Sequence, residues 1–139
     1  MSAEDAVRKA SKNFYDALNR MANGKKGAMV GIWEESDAVT AMHPIGGRDI
    51  GWKAVGSSFD QVAGAASEAE IQLADQQLRV SGDFAYEIGI ERGSFTMAGQ
   101  KVSIEQRVTN IYRREDGGWK VVHHHADISP EMIEIVKRL

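Results

Sequence analysis

Between Glu70 and Ile128 the chain runs EIQLADQQLRVSGDFAYEIGIERGSFTMAGQKVSIEQRVTNIYRREDGGWKVVHHHADI, four apolar-rich segments of strand length separated by short breaks. The breaks are Ser81-Gly82-Asp83, Ala98-Gly99 and Asp116-Gly117-Gly118, all turn-forming sequences. They make the segments at about Glu70–Val80, Phe84–Met97, Lys101–Arg114 and Trp119–Ile128 antiparallel neighbours in one meander. In the first segment the apolar positions switch from odd (Ile71, Leu73) to even (Leu78, Val80). Strand side chains alternate between faces, so one extra residue near Asp75 to Gln77, a β-bulge, is expected there.

Upstream of the meander the spacing is helical. Val7, Ala10, Phe14, Ala17, Leu18 and Met21 recur at three- and four-residue intervals from Glu4 to Ala22, and Asn23-Gly24 ends the pattern. Ala28, Met29, Ile32 and Trp33 suggest a second, shorter helix, and Ala38 to Met42 looks extended. After a turn at Pro44 and Gly46-Gly47, a third helix follows from Trp52, Val55, Phe59, Val62 and Ala63. The expected fold class is therefore α+β: three N-terminal helices packed on a strongly curved antiparallel sheet, as a single domain over residues 1–139.

Composition narrows the partners. Seventeen Lys and Arg against 20 Asp and Glu give a net charge of −3, which argues against nucleic acid and anionic membrane surfaces. No cysteine is present, so disulfides, thiol nucleophiles and cysteine-held metals are excluded. No stretch approaches 18 apolar residues and Met1 to Phe14 lacks the apolar core of a signal peptide, so the chain reads as soluble and cytoplasmic. Val121 and Val122 are both apolar in the last strand, so both faces are expected to leave water there. Helices cover only one face; a homodimer through the outer sheet face covers the other.

The order of elements, and two motifs, resemble the nuclear transport factor 2-like superfamily, a cone of helices wrapped by a bent sheet. Gly51-Trp52-Lys53-Ala54-Val55 with Phe59 looks like the opening of that fold's third helix. Arg113-Arg114-Glu115-Asp116-Gly117-Gly118-Trp119-Lys120-Val121-Val122-His123-His124-His125 is similar to the end of SnoaL-like proteins and of the calcium/calmodulin-dependent protein kinase II association domain. The fold hosts isomerases, hydrolases, dehydratases and non-catalytic modules, so the resemblance leaves the reaction open.

Several residues are candidates for chemistry. His43 precedes Pro44, which biases it toward an extended backbone. Ketosteroid isomerases of the superfamily carry a base at the matching place, and an imidazole can accept a proton near neutral pH. Phe14 stands where that family's oxyanion-donating tyrosine would be, leaving Tyr15, one position along, and Asn110 or Thr109 as donors. The two-residue strand period places Val121, His123 and His125 on one face, so both histidines are expected to line the pocket. With His43 and Asp127 they also have the ligand types for zinc or iron. Arg107, on the same strand face as Thr109, either holds a ligand carboxylate or joins a salt-bridge ladder with Glu87, Glu91 and Glu105. Phe14, Trp33, Trp52, Phe59 and Tyr86 would form the apolar wall.

The first expectation is thus a small-molecule ligand held in an enclosed, mostly apolar pocket. Chemistry there would be cofactor-free proton transfer by His43, Asn110 and Tyr15, of isomerase, dehydratase or hydrolase type, with no metal assigned. The alternatives are a non-catalytic association module and a histidine-based metal enzyme.

Overall fold

The computed structural model describes residues Ser2–Leu139. Helix α1 (Ala3–Ala22) starts where the Ser2 side chain accepts a hydrogen bond from the Asp5 backbone, with Glu4 and Asp5 in the first turn and Arg20 in the last. These are the charges a helix dipole favours at each end. Its inward stripe is Val7, Ser11, Phe14, Tyr15, Leu18 and Met21. Strands β1 (Thr40–His43) and β2 (Gly46–Ile50) lead into α2 (Trp52–Ala63). The meander follows as β3 (Ala66–Ser81), β4 (Phe84–Met97), β5 (Gln100–Glu115) and β6 (Gly118–Ala126), and α3 (Pro130–Lys137) closes the chain.

One six-stranded sheet results, ordered β2-β1-β6-β5-β4-β3. Its pairs are antiparallel except β1 with β6, which run parallel with Thr40 opposite His123 and Met42 opposite His125. The helices fill the concave side. Edge strand β3 does not present a bare edge along its whole length, because helix side chains dock on it. Asn19 donates to the Ile71 carbonyl and accepts from the Ile71 amide, both at 2.8 Å, and Asn23 pairs in the same way with Ala69. Satisfying edge groups in this way removes a template for unwanted strand pairing.

The expected bulge is present: the β3–β4 register shifts between Ala74 and Gln77, and Asp75 takes a positive φ of 55°. The expected second helix is not. Residues 27–32 form successive turns, with Val30 bonded to Gly27 and Ile32 to Met29, and Trp33 makes an isolated parallel bridge to Val121. Gly27 and Gly31 both sit at positive φ, which interrupts a right-handed helix, yet Ala28, Met29 and Trp33 still bury their side chains. The helix expected from Trp52 is present as α2, and the third helix of the fold is α3 at the C-terminal end, capped by Ser129 with Pro130 in its first turn, so two helices and not three precede the meander.

A second bulge lies in β6. Tyr112 pairs with Val121 and Ile111 with His123, so Val122 is the unpaired extra residue. The adjacent valines therefore mark a change of face, and no doubly buried strand is needed to explain them. Val121, His124 and Ala126 point into the core, while His123 and His125 fall on the outer face.

Candidate functional site

The concave interior holds a cavity of about 60 Å³. Leu18, Met21, Phe59, Phe95, Met97 and Met132 supply most of its apolar wall, and His43, Glu91, Gln106 and His124 are its main polar lining. That space suits a few waters or one compact organic molecule of several heavy atoms, well short of a drug-sized pocket.

His43 reaches the cavity from the end of β1, against the edge of the Phe59 ring at 4.8 Å. Its Nε2 is buried and makes no hydrogen bond, although Asp49 Oδ2 lies 3.3 Å away, out of alignment. Burial pushes its pKa down, against an upward pull from Asp49, so the ring stands neutral at physiological pH.

Behind the cavity is a buried polar network. Glu87, fully buried, accepts from Ser11 at 3.0 Å, Asn110 at 3.0 Å, Tyr112 at 2.5 Å and Gln76 at 2.7 Å. Four accepted bonds on two oxygens is the pattern of a carboxylate that needs no cation beside it. Asn110 also donates to the Tyr15 hydroxyl at 3.0 Å, and Tyr15 donates to Glu91 Oε2 at 2.9 Å. Gln106 donates to Glu91 Oε1 at 2.9 Å. Glu91 is raised above the usual carboxylate range by burial and by the Glu87 charge, with the bonds from Gln106 and Tyr15 pulling the other way. Burial also holds the Tyr15 phenol well above its ordinary pKa.

The network assigns the His124 tautomer. Asn110 must turn its amide nitrogen to the acceptor-only carboxylate of Glu87, so its oxygen faces His124 Nδ1 at 2.6 Å and Nδ1 carries the proton. Burial, with the neighbouring histidines adding to it, drives the His124 pKa well down. Its Nε2 is then a bare acceptor.

Of the residues singled out in the sequence, His43 and Phe59 line the cavity. Tyr15 and Asn110 sit behind it, holding Glu91 and His124. Phe14 and Trp33 are fully packed core, Phe14 lying 5.4 Å from the His124 ring, and Trp52 stacks behind Trp33 at 6.5 Å. The remainder are on the convex side. Tyr86 is 47% exposed, Arg107, Thr109 and His125 border one outer groove, and His123 borders another. Arg107 is committed to Asp127 through bonds of 2.8 and 3.0 Å, away from Glu87 and Glu91. The bulge at Val122 causes the histidine displacement, and it also separates His43 from His123 and His125. Among the described residues no group of three or more His, Asp or Glu side chains is arranged to hold a metal ion.

Glu91, Gln106 and His124 were missed as site residues. The signal was in β4, where Phe84, Tyr86 and Ile88 point outward and Glu87 and Glu91 inward, the reverse of an ordinary half-buried strand. Such inversions concentrate where function outweighs folding.

The fold has known counterparts. A Thiobacillus denitrificans protein, provisionally described as a calcium/calmodulin-dependent protein kinase type II association domain, is 27% identical over 86% of this chain and 92% of its own, with a TM-score of 0.71. A provisional dehydratase of the NTF2-like family from Streptomyces avermitilis is 25% identical over 91% of this chain and 95% of its own, with a TM-score of 0.78. An NTF2-like superfamily protein from Salmonella enterica serovar Typhimurium shares the fold at 16% identity, covering 90% of this chain and 89% of its own with a TM-score of 0.79. No curated protein matches the chain significantly. No helix among the described residues is long and apolar enough to cross a membrane. The SnoaL-like domain family matches residues 7–129, and with the three-helix, curved six-stranded NTF2-like architecture this places the chain in the SnoaL-like family.

Proposed function

We propose that the protein binds a compact organic molecule in its cone and acts on it by proton transfer between side chains, as an isomerase, dehydratase or hydrolase. The observation that carries this reading is His43: a neutral imidazole whose buried Nε2 makes no hydrogen bond, on the wall of a mostly apolar cavity that it shares with Glu91, Gln106 and His124. A buried unpaired polar atom costs about 1–3 kcal/mol, and a ligand that engages it recovers that cost. His43 is the acid or base. Tyr15 and Asn110 act one step back, orienting Glu91 and His124, which stand closer to the ligand. The similarity to a provisional dehydratase agrees with chemistry of this class.

Native mass spectrometry of the purified protein tests the proposal: a retained organic mass, lost or weakened in His43→Ala, supports it. Binding and turnover both untouched by His43→Ala would remove His43 from its role.

A second reading has its own observation. Phe84, Tyr86 and Ile88 are 51%, 47% and 44% exposed on the convex face, an apolar patch that a homodimer through that face would bury. The similarity to an association domain fits a module whose work is assembly. A dimer retaining organic mass favours the pocket; a larger ring with an empty cavity favours the module.

A further inference from the structure

The cavity's polar surface is one-sided. His124 is tied through Nδ1–H to Asn110, so the edge of its ring left for the cavity carries the bare Nε2 acceptor. Glu91 lines the same cavity with one bond accepted on each oxygen, leaving lone pairs on both. Gln106 spends an amide hydrogen on Glu91 and keeps its carbonyl oxygen. No Lys or Arg lines the cavity or bonds to Glu87 or Glu91, so the two buried carboxyl groups have only neutral partners. His43 also lines the cavity, its buried Nε2 lying 3.3 Å from Asp49 Oδ2 without a hydrogen bond, and it is not counted among the acceptors. Around these groups the wall is methionine, phenylalanine and aliphatic carbon.

We propose that the cone is a recognition site for a compact primary amine, bound as its ammonium ion, with Glu91 as counter-ion and His124 Nε2 as a second acceptor. An ammonium group offers three donors and the positive charge that the buried carboxyl pair lacks. Its short alkyl body occupies the apolar wall, and the 60 Å³ limits that body to a few carbons. Anionic ligands are disfavoured by Glu91 and Glu87, and ligands that only accept hydrogen bonds find no cation to meet them. Burial raises the Glu91 pKa, and an ammonium ion bound beside it pulls in the opposite direction.

The inference rests on the cavity being a small-molecule site, as proposed above, and names the class of ligand. The test uses the wild-type protein with three probes of equal size, propylammonium, 1-propanol and propionate, followed by calorimetry and by amide NMR shifts at cavity residues. Propylammonium is expected to bind at least about tenfold more tightly than either of the others, a difference of ~1.4 kcal/mol. Glu91→Gln is expected to abolish that preference while its NMR spectrum stays folded; His124→Gln, which keeps a donor for Asn110 but has no ring nitrogen in the place of Nε2, is expected to weaken propylammonium binding, and unchanged binding there removes His124 from the amine site. Propanol or propionate binding as well as the ammonium overturns the amine assignment while leaving the pocket standing. Absence of saturable binding by all three overturns the assignment together with the small-molecule reading.

Discussion

Acidification should unfold this protein through one residue more than any other. His124 is fully buried, donates through Nδ1 to Asn110, and has its pKa pressed well below that of a free imidazole by burial and then by nearby histidines. A depressed histidine binds its proton more readily in the unfolded chain. Its contribution to stability is therefore present above the unfolded pKa of about 6.5 and is lost as pH falls below it. For an imidazole that stays neutral while folded, the loss between pH 6.5 and 5.5 is RT ln(11/2), ~1 kcal/mol. His43 adds to this with the same sign, less strongly because Asp49 opposes the burial. Glu91 works the other way: its raised pKa makes the folded state gain stability as pH falls through that value. The assay is urea unfolding at pH 7.5, 6.5 and 5.5 for the wild type and His124→Gln, whose amide can still donate to Asn110 but does not titrate. With a urea slope of about 1–3 kcal/mol per molar, the wild-type midpoint should fall by roughly 0.3–1 M more than that of the variant between pH 6.5 and 5.5. Equal pH dependence in the two proteins would refute the buried neutral imidazole.

Four other outcomes follow from the same structure. Tyr15→Phe removes the donor on Glu91 Oε2 and one acceptor of Asn110, and should cost about 1–3 kcal/mol in chemical denaturation, more at pH 8 than at pH 5 because Glu91 loses a bond favouring its charged form. Gly93→Ala places a Cβ 1.8 Å from the Glu70 carbonyl oxygen at a φ of 145°, so a melting temperature at least ~10 °C below wild type, or failure to fold, is expected. His123→Ala and His125→Ala, on the convex face, should leave cavity binding within about twofold of wild type by calorimetry. For the proposed homodimer through the convex face, the wild type should sediment as a dimer and Phe84→Asp and Ile88→Asp as folded monomers, since both residues are exposed in the single chain.

How far the sequence speaks for itself differs between fold and site. The meander, its turns and the β3 bulge were legible because turn chemistry and the parity switch around Asp75 are local signals. The stretch from Gly27 to Trp33 was misleading: its apolar spacing is helical, and the positive-φ glycines that break it are visible only as residue types. In β6 a single extra residue reversed the histidines. Val121-Val122 carries the same kind of parity break as Asp75 to Gln77, but an adjacent apolar pair also fits a strand buried on both faces, so the pattern alone does not tell which of the three histidines turns inward. Glu87 and Glu91 looked like surface partners for Arg107 because glutamates are seldom buried. Only tertiary structure brings Tyr15, Asn110, Gln106 and Tyr112 to them from α1 and β5.

Ligand binding in the cone requires a reachable hollow, and the methionine methyl groups report on it directly. Met21, Met97 and Met132 line the cavity, while Met29 is buried elsewhere and Met42 lies outside the lining. In a spectrum of methyl-13C-methionine protein under xenon pressure, the resonances of Met21, Met97 and Met132 should shift in a saturable way with Met29 and Met42 unmoved. Shifts confined to Met29 and Met42, or no saturable shift at all, would contradict a ligand-accessible cone.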